Sequence, residues 1–526
     1  MKEKNILSNK YFLYITEFFS GMSVMAVELG ASRLMAPYFS SSQIVWTVII
    51  GVIMIAMAFG NVWGGRIADK SPSPNKLYGR LLLAAVWIAL IPFAGRYLIT
   101  GISLLLAVFV TKNFLVWAAL FTCLAVFAFP CVLLGTVTPS LVKYSVNSLD
   151  NNGKIVGELG ALNTIGSIIG TFLPTFVTIP SVGTAITFLI FSGVLAFISI
   201  IYFLSIRKNL IKCTLSVVLI LILGLTSSNY SFAFWENDIT LEDESIYNYL
   251  QVKESDSSII LSTNVLFGVQ SILRKDARLT GMYYDYALAA PLMADINKDT
   301  TGNILILGLG TGTFAKYCKD YFPKCMIEGV EIDKKIADLA TEYFNLPDSV
   351  QVSIYDGRSY LTASEKKYDV IMVDAYQDIT IPFQMSSVEF FTEVSNHLTS
   401  NGVMVVNMNM KSKSKPSIND YLCDTIGSVF DYVYTAPVEG GTNCEVFAFQ
   451  NSNTLNTFEK NRNALTEHTL SEMMETVSQS MKYRTSGNLL LTDDKAPVEL
   501  LGMQVLDEII ADELDYYRDL YLGKFF

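Results

Sequence analysis

Glu331, Asp356 and Asp374 each close a short apolar run, and Gly308, Gly310 and Gly312 close a fourth. Residues 304–313 read I-L-I-L-G-L-G-T-G-T. Four apolar residues passing into alternate glycines spell a buried parallel strand and then a tight turn whose backbone can lie close to a ligand. About twenty residues on, residues 327–333 (I-E-G-V-E-I-D) form a second strand with Glu331 at its tip, placed to reach a ribose diol. A third strand, 350–354, ends at Asp356-Gly357, and a fourth, 368–373, ends at Asp374. Ligands of open α/β sheets bind outside the carboxyl ends of the strands. A glycine turn alone says little. Four strand ends in order, carrying Gly, Glu, Asp and Asp, point to a nucleoside site.

The chain leaves little else to do acid–base work. It has two histidines, His397 and His468, and seven cysteines with no C-x-x-C spacing. Neither a metal centre nor a Ser-His-Asp triad is expected, and no disulfide framework is indicated. Proton transfer therefore falls to carboxylates or tyrosines. Tyr283-Tyr284-Asp285-Tyr286 supplies both on one predicted helix.

The elements that position these residues occupy only part of the 526-residue chain. The sequence is 51% hydrophobic and 17% charged, and the two properties separate along it. Residues 1–230 hold 15 basic and 6 acidic side chains, while the remainder holds 23 and 43. The expected architecture is an α-helical polytopic membrane domain over 1–230. A connector and small β-region follow over 231–300. A doubly wound α/β domain of Rossmann-like, class I methyltransferase type then fills 301–526. An acidic second half disfavours nucleic acid and either suits a cationic partner or serves solubility alone.

Seven stretches approach the roughly 20 apolar residues a bilayer crossing needs: 12–36, 44–67, 77–95, 114–137, 155–179, 184–206 and 211–228. The run 97–110 either extends the third, lies in the interface or adds an eighth. Positive charges set the N-terminus in the cytoplasm. Within the first span Glu28 and Arg33 are five apart, about 140° round a helix. Such groups face a bundle interior and pair with other helices. They are a candidate polar site or a structural charge pair. Gly157, Gly160, Gly166 and Gly170 suggest close helix packing in the fifth span. Downstream, short strands are expected at 249–252, 258–261 and 269–273, with further strands at 402–408 and 445–450. A polar helical excursion over 451–480 and a final helix over 505–521 complete the reading.

Taken together, these motifs resemble the spermidine synthase family of aminopropyltransferases. More closely, they resemble bacterial members in which a multi-helix, major-facilitator-like membrane domain precedes the synthase-like domain. V-E-I-D matches the family's E-I-D, so the resemblance implies that Glu331 holds the ribose hydroxyls. Y-D-G at 355–357 implies an adenine contact for Asp356 with Gly357. The strand ending at Asp374 matches the one carrying the family's catalytic aspartate. Tyr283 matches a tyrosine of the amine pocket, and Asn248 falls where the family often has glutamine. Two departures stand out. Thr311 replaces an aspartate of the glycine turn. Asp374-Ala375-Tyr376-Gln377 replaces D-x-x-D, leaving Asp378 one residue late.

The resemblance implies aminopropyl transfer from decarboxylated S-adenosylmethionine to a small cationic amine. Asp374 would be the base, with Tyr283, Tyr376 and Gln377 beside the amine. Asp378, Asp285 and Asp494, next to Asp493, could restore the missing negative charge. A methyltransferase using intact S-adenosylmethionine and a non-catalytic transporter or sensor are the competing readings. No metal and no nucleic acid are expected; the bilayer is a partner, and a homodimer is left open. Seven spans would set the second domain outside the cell membrane. The supply of an adenosyl-sulfonium substrate argues for the cytoplasmic face, which is the side adopted.

Overall fold

A computed structural model describes residues 9–110, 112–145, 152–227, 230–265, 269–276, 279–375, 381–409, 412–505, 507–508 and 511. The chain divides into two units, Met1–Asn237 with Asp243–Tyr249, and Asp238–Glu242 with Leu250–Phe526.

The first unit is helical: α1 (Lys10–Phe39), α2 (Gln43–Lys70), α3 (Pro74–Ala107), α4 (Phe114–Val126), α5 (Ala128–Gly135), α6 (Val137–Ser145), α7 (Asn152–Leu173), α8 (Ile179–Ile206) and α9 (Leu210–Thr226). Asn9 and Ser42 cap α1 and α2 by accepting from the Tyr11 and Val45 amides. Among the described residues five helical lengths are long and apolar enough to cross a membrane, where the sequence suggests seven crossings. Two causes account for the difference. The π-turn Pro174–Thr178 joins α7 to α8, so two expected spans form one 55-residue length, interrupted at Gly183 (φ 79°). The expected seventh, α9, has 17 residues, at the short end of what a crossing needs. The run 97–110 proves to be largely the end of α3, a single helix of 34 residues.

Helices α1 and α7 press together backbone to backbone. A Cβ added at Gly166 would lie 2.0 Å from the Phe18 carbonyl oxygen, and at Gly170 2.1 Å from that of Met22. The expected packing role belongs to these two glycines; Gly157 and Gly160 face open space. This contact buries Glu17, whose Oε1 accepts from Thr138 (2.6 Å) and Asn163 (2.9 Å). Arg33 lies near enough to Glu244 for its charge to act there. Glu244 also accepts from the Thr184 amide at 2.7 Å.

The second unit begins with the sheet β1 (Leu241–Glu244), β2 (Tyr249–Glu254), β3 (Ser258–Ser262) and β4 (Ser271–Arg274), in that spatial order. Two short helices follow, α10 (Tyr283–Ala287) and α11 (Ala289–Met293). Then β5 (Asn303–Leu307), α12 (Thr313–Tyr321), β6 (Met326–Glu331), α13 (Lys334–Glu342), β7 (Val350–Ile354), α14 (Gly357–Ala363) and β8 (Tyr368–Val373) alternate. The rest comprises α15 (Val388–His397), β9 (Leu398–Met408), α16 (Ile418–Gly427), β10 (Tyr432–Pro437), β11 (Cys444–Phe449), α17 (Thr454–Asn463), α18 (His468–Ser480) and β12 (Lys482–Tyr483). The expected final helix lies mostly outside the described residues.

The main sheet has eight strands in the order β12-β10-β11-β9-β8-β5-β6-β7. Strands β7, β6, β5, β8 and β9 run parallel, and β11 and β10 add antiparallel. The central parallel strands β5 and β8 are buried on both faces and are nearly continuous apolar runs. Ile304, Ile306, Val370, Met372, Val403 and Val405 form the middle of the core.

Candidate active site

Register sets the site. Leu307 pairs with both Val330 and Val373, and Val373 pairs with Val406. One residue further, Glu331, Gly308, Asp374 and Asn407 therefore stand side by side at the carboxyl ends. The order reverses between β5 and β8, which is where an open α/β sheet leaves a crevice.

The glycine turn closes that crevice tightly. Gly308 has φ 90°, and a Cβ there would lie 2.6 Å from the Asp374 carbonyl oxygen. No other residue fits both the torsion and the space. The Asp374 amide donates to Leu307 O (2.9 Å), locking β8 against the turn. Beside it lies a cleft of about 310 Å³, open mouth included, lined by Gly308, Gly310, Tyr283, Tyr284, Gln270 and Asp374 among others.

Asp374 is held by side chains. Its Oδ1 accepts from Asn407 Nδ2 (2.9 Å) and its Oδ2 from the Tyr283 hydroxyl (2.8 Å). Burial of this carboxyl raises its pKa from 3.8 to about 7, and these two donors hold it from rising further. A carboxyl so poised accepts a proton near neutrality. Burial, and then the charge of Asp374, keep the Tyr283 hydroxyl well above its ordinary range, so it stays a donor.

Glu331 is fixed by backbone. Its Oε2 accepts from the Gly310 amide (2.9 Å) and its Oε1 from the Asp333 amide (3.0 Å). Burial pushes its carboxyl up and the two amides oppose that. Both oxygens keep lone pairs for further donors. Asp356 caps α14, accepting from the Ser359 amide at 2.8 Å. Gly357 begins that helix, where an added Cβ would lie 3.3 Å from Met385 Cε.

Other residues singled out by sequence sit elsewhere. Thr311 is buried inside the turn, 3.3 Å from the Thr313 hydroxyl. Asp285 is buried too; it accepts from the Gly281 amide (2.5 Å) and Thr280 (3.2 Å), holding the turn before α10. Burial raises it to about 6. Asn248 belongs to the first unit, in a turn where its amide donates to Ser245 Oγ (2.8 Å). Asp493 is bound to Arg358 through two 2.8 Å contacts, and Asp494 beside it is exposed. That ion pair takes Asp493 out of the supply of charge to the cleft. Tyr376, Gln377 and Asp378 lie outside the described residues. Sequence reading missed Asn407 and its own partner Asn443, which donates to Asn407 Oδ1 at 2.9 Å. The one available signal was a polar residue ending the apolar run V-M-V-V-N.

The second unit is thus an α/β domain of class I methyltransferase type, with its site at the switch point. Residues 286–458 match the spermine/spermidine synthase domain. A Bifidobacterium longum protein named a probable polyamine aminopropyl transferase is 52% identical over 338 residues, covering 61% of this chain and 75% of that one. The human eEF1A lysine and N-terminal methyltransferase is 30% identical over 154 residues, 27% of this chain and 22% of its own. A probable spermidine synthase from Corynebacterium glutamicum has a solved structure with TM-score 0.37 and 20% identity, covering 48% of this chain and 98% of its own. The chain belongs to the spermine/spermidine synthase family of polyamine aminopropyltransferases.

Proposed function

We propose that the chain transfers an aminopropyl group from decarboxylated S-adenosylmethionine to a small di- or polyamine, working at a membrane. The observation that carries this is Asp374: a carboxyl with a pKa of about 7 at the switch point, steadied by Tyr283 and Asn407. In this reading Glu331 takes the ribose hydroxyls and Asp356 the adenine amino group. Gly308, Gly310, Thr311, Gly312 and Gly357 shape the bed for the nucleoside. The acceptor nitrogen attacks the propyl carbon next to sulfur. A C–N bond forms, the C–S bond breaks, and its electron pair leaves on sulfur as a neutral thioether. Asp374 receives the proton that the nitrogen sheds. The sulfonium is already an activated leaving group, so the protein supplies position and a base.

Membrane association rests on the first unit. Besides its five long apolar lengths, it exposes Met54, Ile55, Phe59 and Val62 on α2 and Leu104 and Leu105 on α3. That much bare apolar surface suits lipid. Glu28 and Arg33 then serve as a charge arrangement at one end of the bundle, and the second unit works on the cytoplasmic face.

The product nucleoside tests the chemistry. Detergent-purified protein given donor and 1,4-diaminobutane should form methylthioadenosine. S-adenosylhomocysteine from intact S-adenosylmethionine would make it a methyltransferase. Formation of neither would reduce it to a binding protein. For the topology, an impermeant thiol reagent labelling a cysteine placed near Asn451 in intact cells would defeat the cytoplasmic assignment.

A further inference from the structure

The row of strand-end residues does not stop at Asn407. Across β9 and β11 the register sets Glu445 directly opposite Asn407. Opposed residues in an antiparallel pair share a face of the sheet. Asn407 uses that face to reach Asp374, so Glu445 stands two strand spacings from the proposed base, about 9–10 Å along the sheet. Its side chain is fully buried, and neither carboxyl oxygen has a hydrogen-bond partner among the described residues.

A carboxyl in that state is costly. Burying a polar group without a hydrogen bond is unfavourable, and burying a charged one more so. The residues that follow it on β11, Val446, Phe447 and Ala448, show what the surrounding core ordinarily takes. Burial, and then the charge of Asp374, raise the Glu445 carboxyl well above its usual range, so it rests protonated. Two neighbouring carboxyls that cannot both ionise in the empty site can both do so once a cation joins them. The acceptor half is also short of negative charge. Thr311 and Gln377 stand where the family resemblance implies acids.

We infer that Glu445 is a second carboxyl of the acceptor site, which takes the distal ammonium of a diamine against the row Glu445–Asn407–Asn443 while the reacting nitrogen lies at Asp374. This rests on the amine reading of the acceptor but not on turnover. The distal cation supplies the missing partner, and the proton held by Glu445 leaves to solvent as it binds. A monoamine has no second nitrogen and leaves Glu445 as it was. The site therefore prefers diamines by charge rather than by apolar fit.

Calorimetry on the detergent-solubilised full chain, saturated with methylthioadenosine, tests this with 1,4-diaminobutane and butylamine. The wild type should bind the diamine at least tenfold more tightly than the monoamine. Glu445→Gln keeps the shape and removes the ionisable group. It should erase that preference, with methylthioadenosine affinity unchanged. Equal preference in a folded Glu445→Gln protein overturns the inference, as does a wild type that binds no diamine. If the variant does not fold, the wild type alone decides. At pH 8.5 in buffers of different ionisation enthalpy, the diamine should release more protons than the monoamine. Asp374 is already ionised there, and burial keeps Tyr283 and Cys444 protonated. Equal proton release for the two amines refutes the inference. These readouts need no catalysis. A wild type that binds diamines in this way but makes no methylthioadenosine from the donor would leave Glu445 standing and remove the aminopropyl reading.

Discussion

The two sides of the switch point hold their acids by different means. On the β6–β7 side Glu331 and Asp356 accept from backbone amides, of Gly310 and Asp333 in one case and Ser359 in the other. On the β8–β11 side Asp374 is held by two side chains and Glu445 by none among the described residues. Backbone donors come with the strand–turn–helix itself and cannot be mutated away. Side-chain donors can be exchanged one at a time, each exchange moving a pKa. The first arrangement suits a ligand that never changes, and the second an acceptor that evolution can retune. Four substitutions would break or sharpen this contrast.

The largest effect should follow Asp374→Asn. The shape stays and the base goes, so turnover should fall by about 10²–10⁴-fold. Methylthioadenosine affinity should stay within about threefold, because Asp374 lies in the other half. Near-normal turnover would remove Asp374 as the base. Stability should move the other way. A carboxyl raised from 3.8 to about 7 favours the fold while protonated, and that contribution is lost as pH rises through about 7. The Asn variant should therefore melt no lower than the wild type at pH 8, measured by thermal denaturation in detergent.

Next comes Glu331→Ala. Loss of a charge-assisted contact to two ribose hydroxyls should weaken nucleoside binding by about 1.5–3 kcal/mol. The acceptor KM should hardly change. Calorimetry showing unchanged nucleoside affinity in a folded variant would move the ribose elsewhere.

Tyr283→Phe acts within the tunable half. Its hydroxyl donates to Asp374 and so holds that pKa down. Without it the acid limb of kcat/KM should move to higher pH. A hydrogen bond to a charged group worth about 1.5 kcal/mol corresponds to a shift of about one pH unit. Below the limb, activity should drop about tenfold, and above it recover most of the wild-type value. A uniform loss at every pH would mean that Tyr283 serves packing alone.

The same contrast explains what could be read in advance. The strand ends of the β5–β7 side were legible because they follow one another within about seventy residues, each strand with its own period and punctuation. Glu331 and the Gly310 amide that binds it belong to neighbouring strands of one β-α-β unit. Asn407, Asn443 and Glu445 arrive from β9 and the start of β11, and Tyr283 from a helix before the sheet. Nothing local marks them, and only the register β8–β9–β11 brings them into a row. In the helical half the apolar stretches were legible, and the break at Gly183 falls between the expected spans 155–179 and 184–206. The π-turn Pro174–Thr178 was not, because hydropathy carries no hydrogen-bond register.

The smallest expected effect separates two jobs that Asp356 does at once. It caps α14 through the Ser359 amide, and the adenine reading gives it a second contact. Serine caps helices about as well as aspartate. Asp356→Ser should thus keep the melting temperature while its shorter side chain falls back from the nucleoside. Loss of one hydrogen bond to an amino group should cost about 1 kcal/mol, roughly fivefold in affinity. Adenosine analogues sharpen the test. A purine riboside lacking the 6-amino group should bind the wild type and Asp356→Ser equally, because the group that Asp356 recognises is gone. Equal weakening for both ligands would instead mean that α14 had shifted, and Asp356 would be left with its cap alone.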